Sequence, residues 1–220
     1  MADGARGSEI AAVVIFLLVI SLIAVALRCY TMGWILKKMF VEDYLAMVTM
    51  ALYCAYSAFG LLGVQHGLGS HVADVARDDR IQARFWQFVC QAVYIVESTL
   101  TKYVVGLFLL RICVHQRWQC VTIWCMLGAA TVFNVFLFFL AIFQCHPVAW
   151  YWYRYDPEPP FQGDCNAVQF ATIPSYIAAF LNCLVDWTLG VILPASIVWK
   201  TQMETRVKVS VVAVLALGSM

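Results

Sequence analysis

Charge is what this sequence has least of. Asp, Glu, Lys and Arg make up 12% of its 220 residues, about half the share of roughly 25% found in ordinary soluble domains. That shortage removes the solvated surface a soluble fold of this length needs. The formal net charge is +1, and no basic run or tail is present, so nothing suggests a nucleic-acid partner. No CxxC pair occurs, which excludes zinc-ribbon and thioredoxin-type redox motifs. No Asn-x-Ser/Thr sequon occurs, so no N-linked glycan is expected. His66, His71 and His146, with Asp74 and Cys145 nearby, match no metal-ligand spacing. They read as loop histidines, and no metal is expected. Gly67-Leu68-Gly69 lies in a loop rather than after a strand, so it is not a phosphate cradle. No serine or cysteine has a triad-like setting. Internal repeats and low-complexity segments are also missing.

Apolar residues fill the space. They form 63% of the chain, and the mean hydropathy is +0.81. A helix needs about 20 apolar residues to cross a bilayer. Runs of that kind cover residues 10–27, 44–64, 85–112, 121–143 and 168–199, and a sixth begins at 209 and stops at 220. Backbone groups in hydrocarbon must be bonded internally, so the runs predict helices. The expected fold is an all-α, multi-pass transmembrane bundle forming one domain over 1–220. The run at 168–199 is overlong, and Pro174 is the expected break. Ala24-Val25-Ala26 resembles a signal-cleavage site, but the flank is not basic and the run is long. A retained first helix is the reading adopted.

Lys and Arg orient such a bundle, because they concentrate in cytoplasmic loops. Arg28, Lys37 and Lys38 follow the first run, Arg111 and Arg117 the third, and Lys200, Arg206 and Lys208 the fifth. The opposite segments mix arginine with Asp74, Asp78, Asp79, Asp156, Glu158 and Asp164. The N-terminus and the 66–84 and 144–167 loops are therefore expected outside or in a lumen. The membrane would be the plasma membrane or one of the secretory pathway. Trp86, Trp150, Tyr151, Trp152 and Trp199 fall near run ends, as an interfacial belt requires.

Short patterns recur at the run boundaries. They are Arg28-Cys29-Tyr30, Glu42-Asp43, Gly67-Leu68-Gly69-Ser70-His71, Lys102 with Leu109-Leu110-Arg111-Ile112, and Cys145-His146-Pro147 with Trp150 and Cys165. Asp186, Pro194, Trp199-Lys200, Met203, Lys208 and Gly218 continue the series. In this order they resemble the fungal rhodopsin-like domain family. That family includes seven-helix receptor-like proteins and membrane proteins of mycotoxin gene clusters such as that for satratoxin. The chain departs from its pattern at Glu42, where two aspartates are usual, and at Val104, where serine is usual. The resemblance implies a seven-helix architecture, of which six helices are present here and the sixth is truncated. It implies a receptor-like or sensory function, with a possible tie to a secondary-metabolite cluster. Two disulfide partners are open. The resemblance assigns Cys145 to Cys165, whereas animal receptors would pair Cys90 with Cys165. With the first pairing, the aromatic segment 150–155 would form a lid on the outer end.

Ionisable groups inside spans mark function by default, because each costs about 2.5–3.5 kcal/mol to insert. Glu97, Lys102 and Asp186 are those groups. At 1.5 Å per residue, Glu97 lies about 21 Å and Lys102 about 13 Å above Arg111. Tyr94 and Thr101 share the Glu97 face, Ser98 and Thr99 the Lys102 face, and Asn182 and Gly190 the Asp186 face. The polar stripes are expected to face inward. Tyr94, Glu97, Lys102, Asn182 and Asp186 are thus pocket or switch candidates. The plainer alternative is a register-fixing Lys102–Asp186 ion pair beside a protonated Glu97. Arg28, Glu42, Asp43 and Arg111 are candidates at the cytoplasmic face. Capping of the second helix explains Glu42 and Asp43 most simply, with Arg28 or Lys38 as ion-pair partners. Expected partners are the bilayer, a small lipophilic ligand and a cytoplasmic signalling protein. Retinal is not expected, because rhodopsins carry it on a lysine of the last helix and Lys102 is in the third. The second function class is an intramembrane enzyme, cyclase-like, using Glu97 or Asp186 as an acid on a lipophilic substrate.

Overall fold

The computed structural model describes residues 5–70, 75–112, 117–154, 156–165 and 168–200. The expected helix at 209–220, the cations Arg206 and Lys208, and His71, Asp74, Cys113 and Tyr155 lie outside the described residues.

Helix α1 (Ala5–Tyr30) runs on into a π-helical turn, Thr31–Ile35. Helices α2 (Val41–Gln65), α3 (Arg77–Ile112) and α4 (Arg117–Ile142) follow. Strands β1 (Cys145–His146) and β2 (Asp164–Cys165) form an antiparallel ribbon, with the short helix α5 (Trp150–Tyr153) between them. The last described stretch is α6 (Val168–Trp187), a π turn at Thr188–Ile192, and α7 (Leu193–Lys200). Among the described residues, five spans are long and apolar enough to cross a membrane: Arg6–Ile35, Val41–Gln65, Arg77–Arg111, Arg117–Ile142 and Ile173–Ser196. The fold is an all-α multi-pass bundle.

Two differences from the sequence reading have a clear physical reason. Helix α3 starts at Arg77, not 85, and is 36 residues long. At 1.5 Å per residue it spans about 54 Å, so it outruns the roughly 30 Å hydrocarbon layer. Its first turns carry Arg77, Asp78, Asp79, Arg80 and Arg84, which an apolar-run criterion cannot see. The expected break at Pro174 is the second difference. Helix α6 passes through Pro174, and the helix geometry changes instead at Thr188–Ile192. Pro194 explains the place. It has no N–H to give Gly190, and its ring crowds that carbonyl, so the preceding turn widens.

Successive spans pack as antiparallel neighbours. Helix α1 lies on α2, α2 on α3, α3 on α4, and α4 on α6. Leu109, Ile123, Leu127, Ala130, Val185, Leu189 and Leu193 form the buried core shared by α3, α4, α6, the second π turn and α7. Gly106 lets α3 approach α4: a Cβ there would stand 2.7 Å from Leu127 Cδ1. Helix α1 exposes Val13, Phe16, Ile23 and Leu27, which suits a bilayer rather than water. At the turn after α2, Gly67 and Gly69 adopt positive φ of 93° and 95°, which only glycine takes at no steric cost.

Candidate functional site

Three groups of polar side chains stand out along the bundle axis. The first is at the end formed by the close of α1, the start of α2 and the close of α3. Asp43 accepts the Phe40 backbone N–H at 3.0 Å, which caps α2. The same carboxylate accepts Arg28 Nε at 2.8 Å and is 1% exposed. Glu42 is bound at 3.0 Å by Arg111 from α3. Of the expected partners Arg28 does pair with Asp43, whereas Glu42 is reached by Arg111 instead. The Arg111 guanidinium also covers the Phe40 ring, 3.3 Å from its centroid. Capping and ion pairing thus join α1, α2 and α3 in one cluster, and all four candidates of this end belong to it.

The second group lies midway. Lys102 is buried, 5% exposed, and its Nζ is 3.1 Å from Asp186 Oδ1 and 3.0 Å from Ser98 Oγ. Asn134 of α4 donates to Thr99 Oγ1 at 2.9 Å, and Asn182 of α6 donates to Asn134 Oδ1 at 3.2 Å. Tyr103 and Thr131 add a 2.9 Å hydrogen bond between α3 and α4. Helices α3, α4 and α6 are therefore tied at mid-height by polar side chains.

A cavity of about 470 Å³ opens between these three helices. Gln91, Tyr94, Ser98, Asn134, Gln144, Asn182 and Asp186 give it polar points, while Ile95, Leu137, Leu140, Ala178 and Trp187 give it apolar walls. Gln144 Nε2 is buried without a hydrogen-bond partner among the described residues, and an unspent donor of that kind needs an explanation. Tyr94, Asn182 and Asp186 thus meet at one cavity, with Lys102 held by Ser98 and Asp186 at its margin.

Glu97 does not meet them. It is five residues from Lys102, which turns it about 140° away on a helix. Among the described residues its carboxylate takes only a 3.5 Å contact from Thr101, and Thr101 is exposed. The inward-facing expectation is divided: Lys102 turns to Asp186 and Tyr94 of the Glu97 stripe lines the cavity, whereas Glu97 itself is half-buried outside that cavity and Thr101 is exposed. Asn134 carries no charge and so escapes a criterion based on ionisable groups. Its signal was available, since it is a lone amide within an otherwise apolar stretch of α4, and hydrocarbon leaves such a group unsatisfied.

The third group is at the ribbon end. Cys145 and Cys165 are joined by a disulfide, in register across β1 and β2. Cys90 is a free thiol, so the animal-receptor pairing is not the one formed. Trp152 packs edge-on against Phe85 at 5.3 Å, and Tyr151 lies 5.2 Å from Phe88. The aromatic segment is thereby docked on α3. Arg77 grips Asp156 with two bonds of 2.6 and 2.8 Å, and this holds the Asp156 carboxyl below the usual carboxylate range. His66 pairs with Asp79 at 2.9 Å.

Comparison with known proteins agrees with this architecture. A SAT4 family membrane protein of Emericella nidulans is 29% identical over 166 residues, covering 74% of this chain and 41% of the relative. The chain thus spans less than half the length of that relative. No solved structure matches. The fungal rhodopsin domain matches residues 27–220, a stretch that contains every polar cluster described above. The chain belongs to the fungal rhodopsin domain family.

Proposed function

We propose that this membrane protein is receptor-like and holds a small lipophilic ligand in the cavity between α3, α4 and α6. The observation that carries the reading is the cavity itself. It has apolar walls, a few convergent polar groups, and the unspent Gln144 donor, which is the usual make-up of a small-molecule site. The ligand is a molecule with a hydrogen-bond acceptor for Gln144 and a group that competes for Asp186 or Asn182. Helix α3 runs unbroken from Tyr94 at the cavity to Arg111 in the charged cluster. Occupancy is passed along it to the Arg28, Glu42, Asp43 and Arg111 end, where a cytoplasmic signalling protein docks.

Two independent features support the orientation. A disulfide forms in an oxidising compartment, which supports a position outside or in a lumen for the Cys145–Cys165 end and the N-terminus. Cations gather at the other end, as they do on cytoplasmic faces. The plasma membrane or a secretory-pathway membrane suits both. The likeness to cluster-encoded membrane proteins fits a ligand drawn from secondary metabolism. Retinal is not the proposed ligand, because Lys102 is in α3 and already engaged by Asp186 and Ser98. The enzyme reading is less favoured, since Glu97 stands away from the cavity and Asp186 is occupied by Lys102.

The test compares the chain with an Ala178→Trp variant, which fills the cavity from α6. Both are purified from fungal membranes, and bound small molecules are identified by mass spectrometry. The native chain should retain a lipophilic compound that the variant loses. The compound should return unchanged after incubation. Equal content in both proteins would refute the site, and a converted product would replace the receptor with the enzyme.

A further inference from the structure

A second cavity, of about 280 Å³, lies at the ribbon end and shares no lining residue with the one just discussed. Arg77, Arg80 and Arg84 line it from one face of α3, and Asp156 is the one carboxylate among its described lining residues. Asp156 is consumed by Arg77. Arg80 is half-buried, and among the described residues its guanidinium makes no hydrogen bond or ion pair. Its charge acts on Asp156 only through space. A half-buried guanidinium that bonds no anion among the described residues is costly. The first turns of a helix make it worse, because the N-terminal end is itself positively polarised. Leu68, Ile81 and Trp152 supply an apolar wall beside these cations.

We propose that this cavity is a binding site for the anionic group of an amphiphile, with Arg80 as its principal ligand. The chemistry is a carboxylate or phosphate monoanion at the arginines and a hydrocarbon portion along Trp152 and Ile81. The volume admits a headgroup-sized anion rather than a bulky lipophile. Two sources share this chemistry: a free fatty-acid-like carboxylate, and a phospholipid headgroup reaching up from the bilayer. The site stands whether or not the inner cavity binds a ligand, since the two share no lining residue.

The probe is 9,10-dibromostearate, whose bromines quench tryptophan on contact. The full chain in maltoside detergent should show saturable quenching, with Trp152 as the reporter. Arg80→Gln should raise the half-saturating concentration about tenfold, as loss of one charge-assisted bond does. Arg80→Lys should keep part of the affinity, and Lys38→Gln, at the other end of the bundle, should change nothing. Phosphatidylglycerol added to the same micelles distinguishes the sources. Competition assigns the site to lipid headgroups, and lack of competition assigns it to free carboxylates. Equal quenching of the native chain and Arg80→Gln, or equal quenching by the neutral dibromostearyl alcohol, would overturn the proposal.

Discussion

Lys102 is held more firmly than its long stem suggests. Its ammonium is buried and divided between Ser98 and Asp186, while the Asp186 side chain is 46% exposed. The pair is therefore lopsided, and so is the expected cost of breaking it. Asp186→Leu leaves a buried cation unpaired and should destabilise by about 3 kcal/mol. Lys102→Met leaves the Asp186 carboxylate at the open cavity rather than enclosed by protein, and should cost less. The double variant should recover part of the loss. Unfolding temperatures in detergent measure the cycle, and strictly additive losses would show that the two groups do not interact. Charged residues such as these could be read from sequence, because hydrocarbon makes each of them conspicuous. The Asn134 links to Thr99 and Asn182 could not, since neutral amides are cheaper to bury and their partners come from other helices. The Arg111–Glu42 pair was hidden too, because it spans 69 positions.

At the scale of elements, the α3–α4 contact depends on a residue with no side chain. Gly106 is buried, and an added Cβ would lie 2.7 and 3.1 Å from the two methyls of Leu127, itself 1% exposed. Leu127 is buried in the core, so its methyls must shift against their neighbours, and Gly106→Ala should cost about 1–3 kcal/mol as overpacking does. Gly128 is the control, because nothing lies within 4 Å of a Cβ there. A Gly106→Ala protein as heat-stable as Gly128→Ala would contradict the packing described. The spans themselves were legible, because an apolar run long enough for a bilayer has one structural outcome. Their ends were less so. Polar first turns extend α3 to Arg77, and the effect of Pro194 appears in the turn before it, at Thr188–Ile192.

At the scale of the molecule, the bundle has two chemically different ends and a polar tie between them. One end is stapled by Cys145–Cys165 and roofed by aromatics docked on α3. The other is a cluster of two arginines and two carboxylates that joins three helices. The receptor reading needs these ends on opposite sides of a membrane, with the cavity between them. Single cysteines introduced as Lys38→Cys and Asp78→Cys test this most directly, by labelling with a membrane-impermeant maleimide in sealed cells against the unsubstituted background. The account predicts that Asp78→Cys reacts from outside and that Lys38→Cys reacts only after the membrane is opened. Labelling of both from the same side would contradict it.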